Sequence, residues 1–107
     1  MKQKGGIFMT DKIYTLDEIK AIITPVAEKY DVEEVYLFGS YARGEATEKS
    51  DIDFVMNFSE SISLFTYAEV IDDLENLFGK KVDIVSHNSA GPRLLYQIIE
   101  EEVLMYA

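Results

Sequence analysis

Three short segments with a two-residue period alternate with segments whose apolar residues recur every three to four positions, and this alternation decides the fold class. From Asp51 to Phe58, Ile52, Phe54 and Met56 share one face of an extended chain, and Asp51, Asp53, Val55 and Asn57 share the other. Glu34 to Phe38 and Val82 to Val85 read as two further strands, the latter with Val82 and Ile84 opposite Asp83 and Val85. Leu16, Ile19, Ile22, Ile23, Val26 and Tyr30 predict a first helix opened by a capping box of Thr15 and Glu18. Pro25 inside it is expected to force a kink or a break into two. Tyr41 to Gly44 reads as one helical turn, and Glu45 to Ser50 as polar loop. Leu64, Phe65, Ala68, Ile71, Leu74 and Phe78 mark a long helix that Gly79 would stop. Pro92 suits the first turn of a last helix with Leu95, Ile98 and Ile99 inward, and Val103 to Tyr106 reads as a short closing extended piece. The order α-β-α-β-α-β-α predicts an α+β unit, a sheet of about three strands packed with four helices.

A chain of 107 residues is expected to be one domain, here 13–107 behind a loose lead-in at 1–12 that carries Gly5-Gly6. With 48% hydrophobic residues it can build a core without help from metal or disulfide. The absence of cysteine excludes a disulfide scaffold and any thiolate zinc site, and suits a reducing cytoplasm. The apolar run Val35–Phe38 is far too short to span a bilayer, and no N-terminal stretch has the layout of a signal peptide. The expectation is a cytoplasmic protein with no membrane contact. Twenty acidic residues against ten basic give a net charge of −10, which repels a phosphate backbone and argues against direct nucleic-acid binding. A phosphate compound would enter a local site only in the company of a cation.

Two features carry chemistry. Gly39-Ser40 ends a strand directly before a helical turn, where a glycine lets phosphate approach the backbone and a serine hydroxyl adds a donor. A plain turn glycine with a helix cap explains the same residues. A side chain at position 39 is expected to block phosphate approach without touching any carboxylate. The second feature is Asp51-Ile52-Asp53, ten residues after Ser40. Carboxylates two apart on a strand face the same way and can approach to about 5 Å, where they repel by roughly 3 kcal/mol at an effective dielectric near 20. That repulsion raises one carboxyl by about two pKa units unless a cation sits between them. Oxygen-only ligands point to Mg²⁺ or Mn²⁺. Two acids simply facing water is the plainer alternative. Against it, Asp53-Phe54-Val55 and Asp83-Ile84-Val85 repeat one pattern, so neighbouring strands would bring Asp83 to the other two.

Together, Val35-Tyr36-Leu37-Phe38-Gly39-Ser40-Tyr41-Ala42-Arg43-Gly44 and Ser50-Asp51-Ile52-Asp53 resemble the signature of the minimal nucleotidyltransferases, within the DNA polymerase β and kanamycin nucleotidyltransferase superfamily. The resemblance extends from about Ile13 to Tyr106. It implies a mixed sheet and transfer of a nucleotide from a nucleoside triphosphate, here ATP, to a hydroxyl. It implies that Gly39 and Ser40 hold the β- and γ-phosphates. It further implies that Asp51 and Asp53 ligate two Mg²⁺, and that Asp83 assists the second metal and takes the acceptor's proton. Small stand-alone members of this kind are commonly antitoxins of HEPN-type ribonuclease toxins, some of which they adenylylate on a tyrosine. No extra acceptor-binding domain is legible in the sequence, which favours a protein acceptor over a small molecule. A non-catalytic antitoxin that acts by binding alone, and a small-molecule nucleotidyltransferase, are the competing readings.

Other residues are weaker. Arg43 either neutralises triphosphate charge or ties the Glu45–Ser50 loop to a nearby carboxylate. Lys49 reads as solvated loop charge, and Ser50 as a turn into the strand. His87, the one histidine, lies in a polar stretch that assigns it no task. Asp72-Asp73 and Glu100–Glu102 are acidic faces suited to steering a basic partner.

Overall fold

In the computed structural model of the chain, which describes residues 10–86 and 102–107, the first helix, α1 (Leu16–Lys29), starts at the expected capping box. The Thr15 hydroxyl accepts from the Glu18 N–H, and the Glu18 carboxylate accepts from the Thr15 N–H. Of the kink or break expected at Pro25, the break does not occur. Ile19 and Ile23 before the proline, and Val26 and Ala27 after it, are buried, and this outweighs the roughly 3 kcal/mol that an internal proline costs.

The chain continues through β1 (Val32–Phe38), α2 (Ser40–Arg43), β2 (Ile52–Phe58), α3 (Leu64–Phe78), β3 (Val82–Ser86) and β4 (Val103–Tyr106). Ser63 caps α3 by accepting from the Thr66 N–H, and Gly79 stops it in the left-handed region at φ 65°. The predicted last helix, with Pro92, Leu95, Ile98 and Ile99, lies outside the described residues.

The strands form one sheet in the order β3-β2-β1-β4. β1 runs antiparallel to both β2 and β4, and β2 runs parallel to β3 across the α3 crossover, so the sheet is mixed, as the resemblance implied. The expected count of about three strands is corrected to four. Val35 and Leu37 are fully buried in β1, whose outer backbone N–H and C=O groups need partners. The closing residues supply them, with Val35 opposite Tyr106 and Leu37 opposite Val103.

Helix α1 packs on β1 and β4, α3 packs on β3, and the helices touch each other. Ile52, Phe54 and Met56 turn into this core as their alternation required, and the Phe54 ring meets Phe78 of α3 at 6.1 Å. Tyr14, just before α1, stacks edge-on against Phe78 at 5.1 Å and donates its hydroxyl to the Phe78 carbonyl. Val55 is 2% exposed although it lies on the opposite face, between Tyr36 and Val85. That second face is therefore apolar at its middle, between the acidic end of the strands and the Glu34–Asn57 pair.

Candidate active site

Register does the assembling. Phe38 in β1 is the Cα partner of Asp53 in β2, and Asp53 is in turn the Cα partner of Asp83 in β3. Gly39 follows Phe38, so the end of β1 and the beginnings of β2 and β3 lie side by side. Paired residues on adjacent strands project to one face, which brings the Asp53 and Asp83 side chains together. The shared Asp-x-Val pattern anticipated this, and Val55 is likewise opposite Val85. Asp51 lies one residue outside β2 and is exposed, whereas the sequence pattern began the strand with it.

Gly39 has φ 76° and ψ −155°, a combination open essentially to glycine alone. A Cβ at this position would stand 2.6 Å from Asp53 Oδ2. The backbone at 39 is thus packed against the Asp53 carboxylate. This corrects the expectation that a side chain here would leave the carboxylates untouched. Ser40 opens α2, which has no side-chain cap, and Gly44 closes it in the left-handed region at φ 72°.

The Asp53 carboxyl is pushed up to about 6 from an ordinary 3.8. Burial is the first cause, the charge of Asp83 the second and that of Asp51 the third, with a hydrogen-bond interaction with Asp83 adding to them. The sequence pattern credited such a rise to repulsion from Asp51, whereas burial leads and Asp83 comes before Asp51. Asp83 contributes more because strand pairing brings it alongside. The Arg43 guanidinium pulls the other way. Arg43 Nε also donates to Glu45 Oε1 at 2.8 Å in an exposed ion pair, so its loop-tying role is formed. Tyr67 of α3 donates its hydroxyl to the Ile84 carbonyl, and burial followed by the Asp83 charge raises its phenol.

The donors here are carboxylate oxygens, a set suited to hard divalent cations. Their crowding, recorded in the raised Asp53 carboxyl, is the kind of repulsion that a cation relieves. Among the described residues no three acidic, histidine or cysteine side chains converge as they stand into a metal-binding group. What fits a divalent cation here is the chemistry of the donors and the register that sets Asp53 beside Asp83. His87 lies outside the described residues. No helix among them is long and apolar enough to cross a membrane.

Sequence reasoning passed over Lys80, whose ammonium donates to the carbonyls of Glu48 and Thr10. The signal that could have found it is the alternation of Val82 and Ile84, which carried back one step puts Lys80 on the inward face. In the fold Lys80 is buried with Val82 and Ile84, and Lys81 is exposed with Asp83.

The family model described as polymerase beta, nucleotidyltransferase matches residues 20–107. The protein adenylyltransferase MntA of Thermococcus cleftensis is 39% identical over 93 residues, which cover 83% of this chain and 94% of that one. A solved structure provisionally named a minimal nucleotidyltransferase superposes with a TM-score of 0.72 at 36% identity, covering 84% of this chain and 95% of the other. The fold is shared more distantly, at 20% identity and a TM-score of 0.71, with a structure of a tri-AMPylated Shewanella oneidensis HEPN toxin in complex with its MNT antitoxin. That match covers 87% of this chain and 73% of the other.

Proposed function

Because this chain belongs to the polymerase beta nucleotidyltransferase family, we propose that it transfers AMP from ATP to a tyrosine hydroxyl of a HEPN-type ribonuclease toxin and serves as that toxin's antitoxin. The observation that carries this reading is the row of Gly39, Asp53 and Asp83 across three neighbouring strands, with Asp53 raised to about 6. The names of the relatives support the rest. The Thermococcus cleftensis relative is called a protein adenylyltransferase, and the more distant Shewanella oneidensis structure pairs an antitoxin with an AMPylated HEPN toxin.

In this reading Gly39 and Ser40 receive the β- and γ-phosphates, the glycine because no side chain stands between phosphate and backbone. Arg43 adds positive charge at the triphosphate. Asp51, Asp53 and Asp83 would hold two Mg²⁺ ions, with Mn²⁺ able to substitute. When bound, the cations offset the triphosphate charge that a protein of net charge −10 would otherwise repel. The tyrosine oxygen forms a bond to the α-phosphorus, the bond from that phosphorus to the bridging oxygen of the β-phosphate breaks, and pyrophosphate leaves. The tyrosine proton passes to the Asp83 carboxylate. We take 13–107 as the catalytic unit, 1–12 as its lead-in, and the cytoplasm as its place of work.

The test is to incubate the chain with a HEPN-type ribonuclease toxin, ATP and Mg²⁺, and to weigh the toxin by mass spectrometry. The expected result is a gain of one or more AMP units that is absent with Asp53→Asn. A partner whose ribonuclease activity is blocked while its mass stays unchanged would refute catalysis and leave inhibition by binding.

A further inference from the structure

Lys80 sits between the left-handed stop at Gly79 and the first residue of β3. At 3% exposure it is the one buried charged side chain among the described residues. Burying an ammonium is costly unless its N–H groups find acceptors. Its Nζ donates to the Glu48 carbonyl at 2.7 Å and to the Thr10 carbonyl at 3.3 Å. The first bond reaches into a tight turn. The Thr47 N–H donates to Ser50 Oγ at 2.8 Å, and the Ser50 N–H donates to the Thr47 carbonyl at 3.1 Å. Asp51 follows that turn directly. The next residue, Ile52, donates its N–H to the Lys81 carbonyl at 3.1 Å. The stretch carrying Asp51 is thus fastened on both sides to Lys80-Lys81, which leads through Val82 straight into Asp83. Asp51 and Lys80 also line one cavity of about 260 Å³.

We propose that Lys80 is a positioning residue: its bond to the Glu48 carbonyl sets the 47–50 turn and so holds Asp51 at its distance from Asp53 and Asp83. This rests on the reading of Asp51 as a cation ligand. A side chain needed only to fill the space would serve better as a hydrocarbon, since an apolar replacement of a buried charge is often neutral or stabilising. A charged donor, by contrast, gives a short and strong bond to a carbonyl that water would otherwise solvate. Asp51 itself is exposed and lies outside the strand, so the turn before it is what the fold offers to fix it.

The probe is Mn²⁺ alone, with free ion counted by electron paramagnetic resonance, against wild type, Asp51→Asn, Lys80→Met and the double variant. Lys80→Met is expected to keep the wild-type circular dichroism and to weaken Mn²⁺ binding by about tenfold, the scale on which residues that orient metal ligands act. The double variant should bind no more weakly than Asp51→Asn, because Lys80 acts through Asp51. A folded Lys80→Met with wild-type Mn²⁺ affinity overturns the inference, as do losses that multiply in the double variant. Should Lys80→Met fail to fold, Ser50→Ala loosens the same turn from an accessible position. It must then weaken Mn²⁺ binding, again without adding to Asp51→Asn, or the inference falls. If Asp51→Asn alone leaves Mn²⁺ affinity unchanged, the proposed cation site fails and takes this inference with it.

Discussion

Replacing Asp53 by asparagine removes the charge that the fold accommodates least well, and the cost of that charge can be worked from its surroundings. The Asp53 carboxyl rises from 3.8 to about 6, first through burial and then through Asp83 and Asp51, with Arg43 opposing. A difference of about two pKa units corresponds to roughly 3 kcal/mol if the group were fully shielded. Asp53 is only half-buried, so solvent screening reduces this to about 1–2 kcal/mol. The sign follows from linkage. Below about pH 3 the carboxyl is protonated in folded and unfolded chains alike, and nothing is lost. Between about pH 4 and 6 the unfolded chain has released its proton while the folded chain still holds it, so stability falls across that range and levels off above it. Asp53→Asn has no such proton to release. In metal-free buffer, thermal and urea denaturation should find the two proteins equally stable near pH 3. At pH 7.5 the variant should be about 1–2 kcal/mol more stable, a rise of about 5–10 °C in Tm for a domain of this size. A variant less stable than wild type at pH 7.5 would refute the reasoning, and so would a difference of equal size at both pH values.

The remaining predictions concern the other members of the row and the ligand. Gly39→Ala should destabilise the fold by about 1–3 kcal/mol, because alanine cannot adopt φ 76° with ψ −155° without strain and its Cβ would stand 2.6 Å from Asp53 Oδ2; a denaturant midpoint matching wild type would contradict this. Asp83→Asn should leave Mg-ATP affinity near normal and slow transfer by at least about a hundredfold, seen in kcat rather than KM; transfer at the wild-type rate would reduce Asp83 to a strand residue. ATP affinity should collapse in EDTA, since an acidic site with no cation repels a triphosphate; calorimetry showing equal affinity with and without Mg²⁺ would sink this.

Much of the fold was legible because its signals were local. The Thr15–Glu18 box, the alternation in 52–58 and the glycine after Phe78 each act within a few residues, and each formed as written. What escaped depended on partners distant in sequence. Val103–Tyr106 is only four residues, and its assignment as a strand needed the unpaired edge of β1, some seventy positions earlier. Pro25 read as a kink or a break because the proline penalty is local, whereas the burial that keeps the helix in one piece comes from the core.

The site divides along the same line. Asp51, Asp53 and Gly39 could be singled out by spacing, but the reason for glycine at 39 is a contact with Asp53 that no spacing reveals. Asp83 was reachable only through the repeated Asp-x-Val pattern, and strand register then made it a stronger influence on Asp53 than Asp51, its neighbour two residues away. Sequence separation and electrostatic proximity diverge here for a geometric reason. Paired strands lie about 4.8 Å apart, while residues two apart on one strand are separated by roughly 6.6 Å. A parallel partner in register therefore brings a second carboxylate closer than the chain itself can. Asp53 has an acidic neighbour both along its own chain, Asp51, and across to the next strand, Asp83, so repulsion concentrates on it. The part of that repulsion that lowers the stability of the metal-free fold is what a cation would gain by relieving.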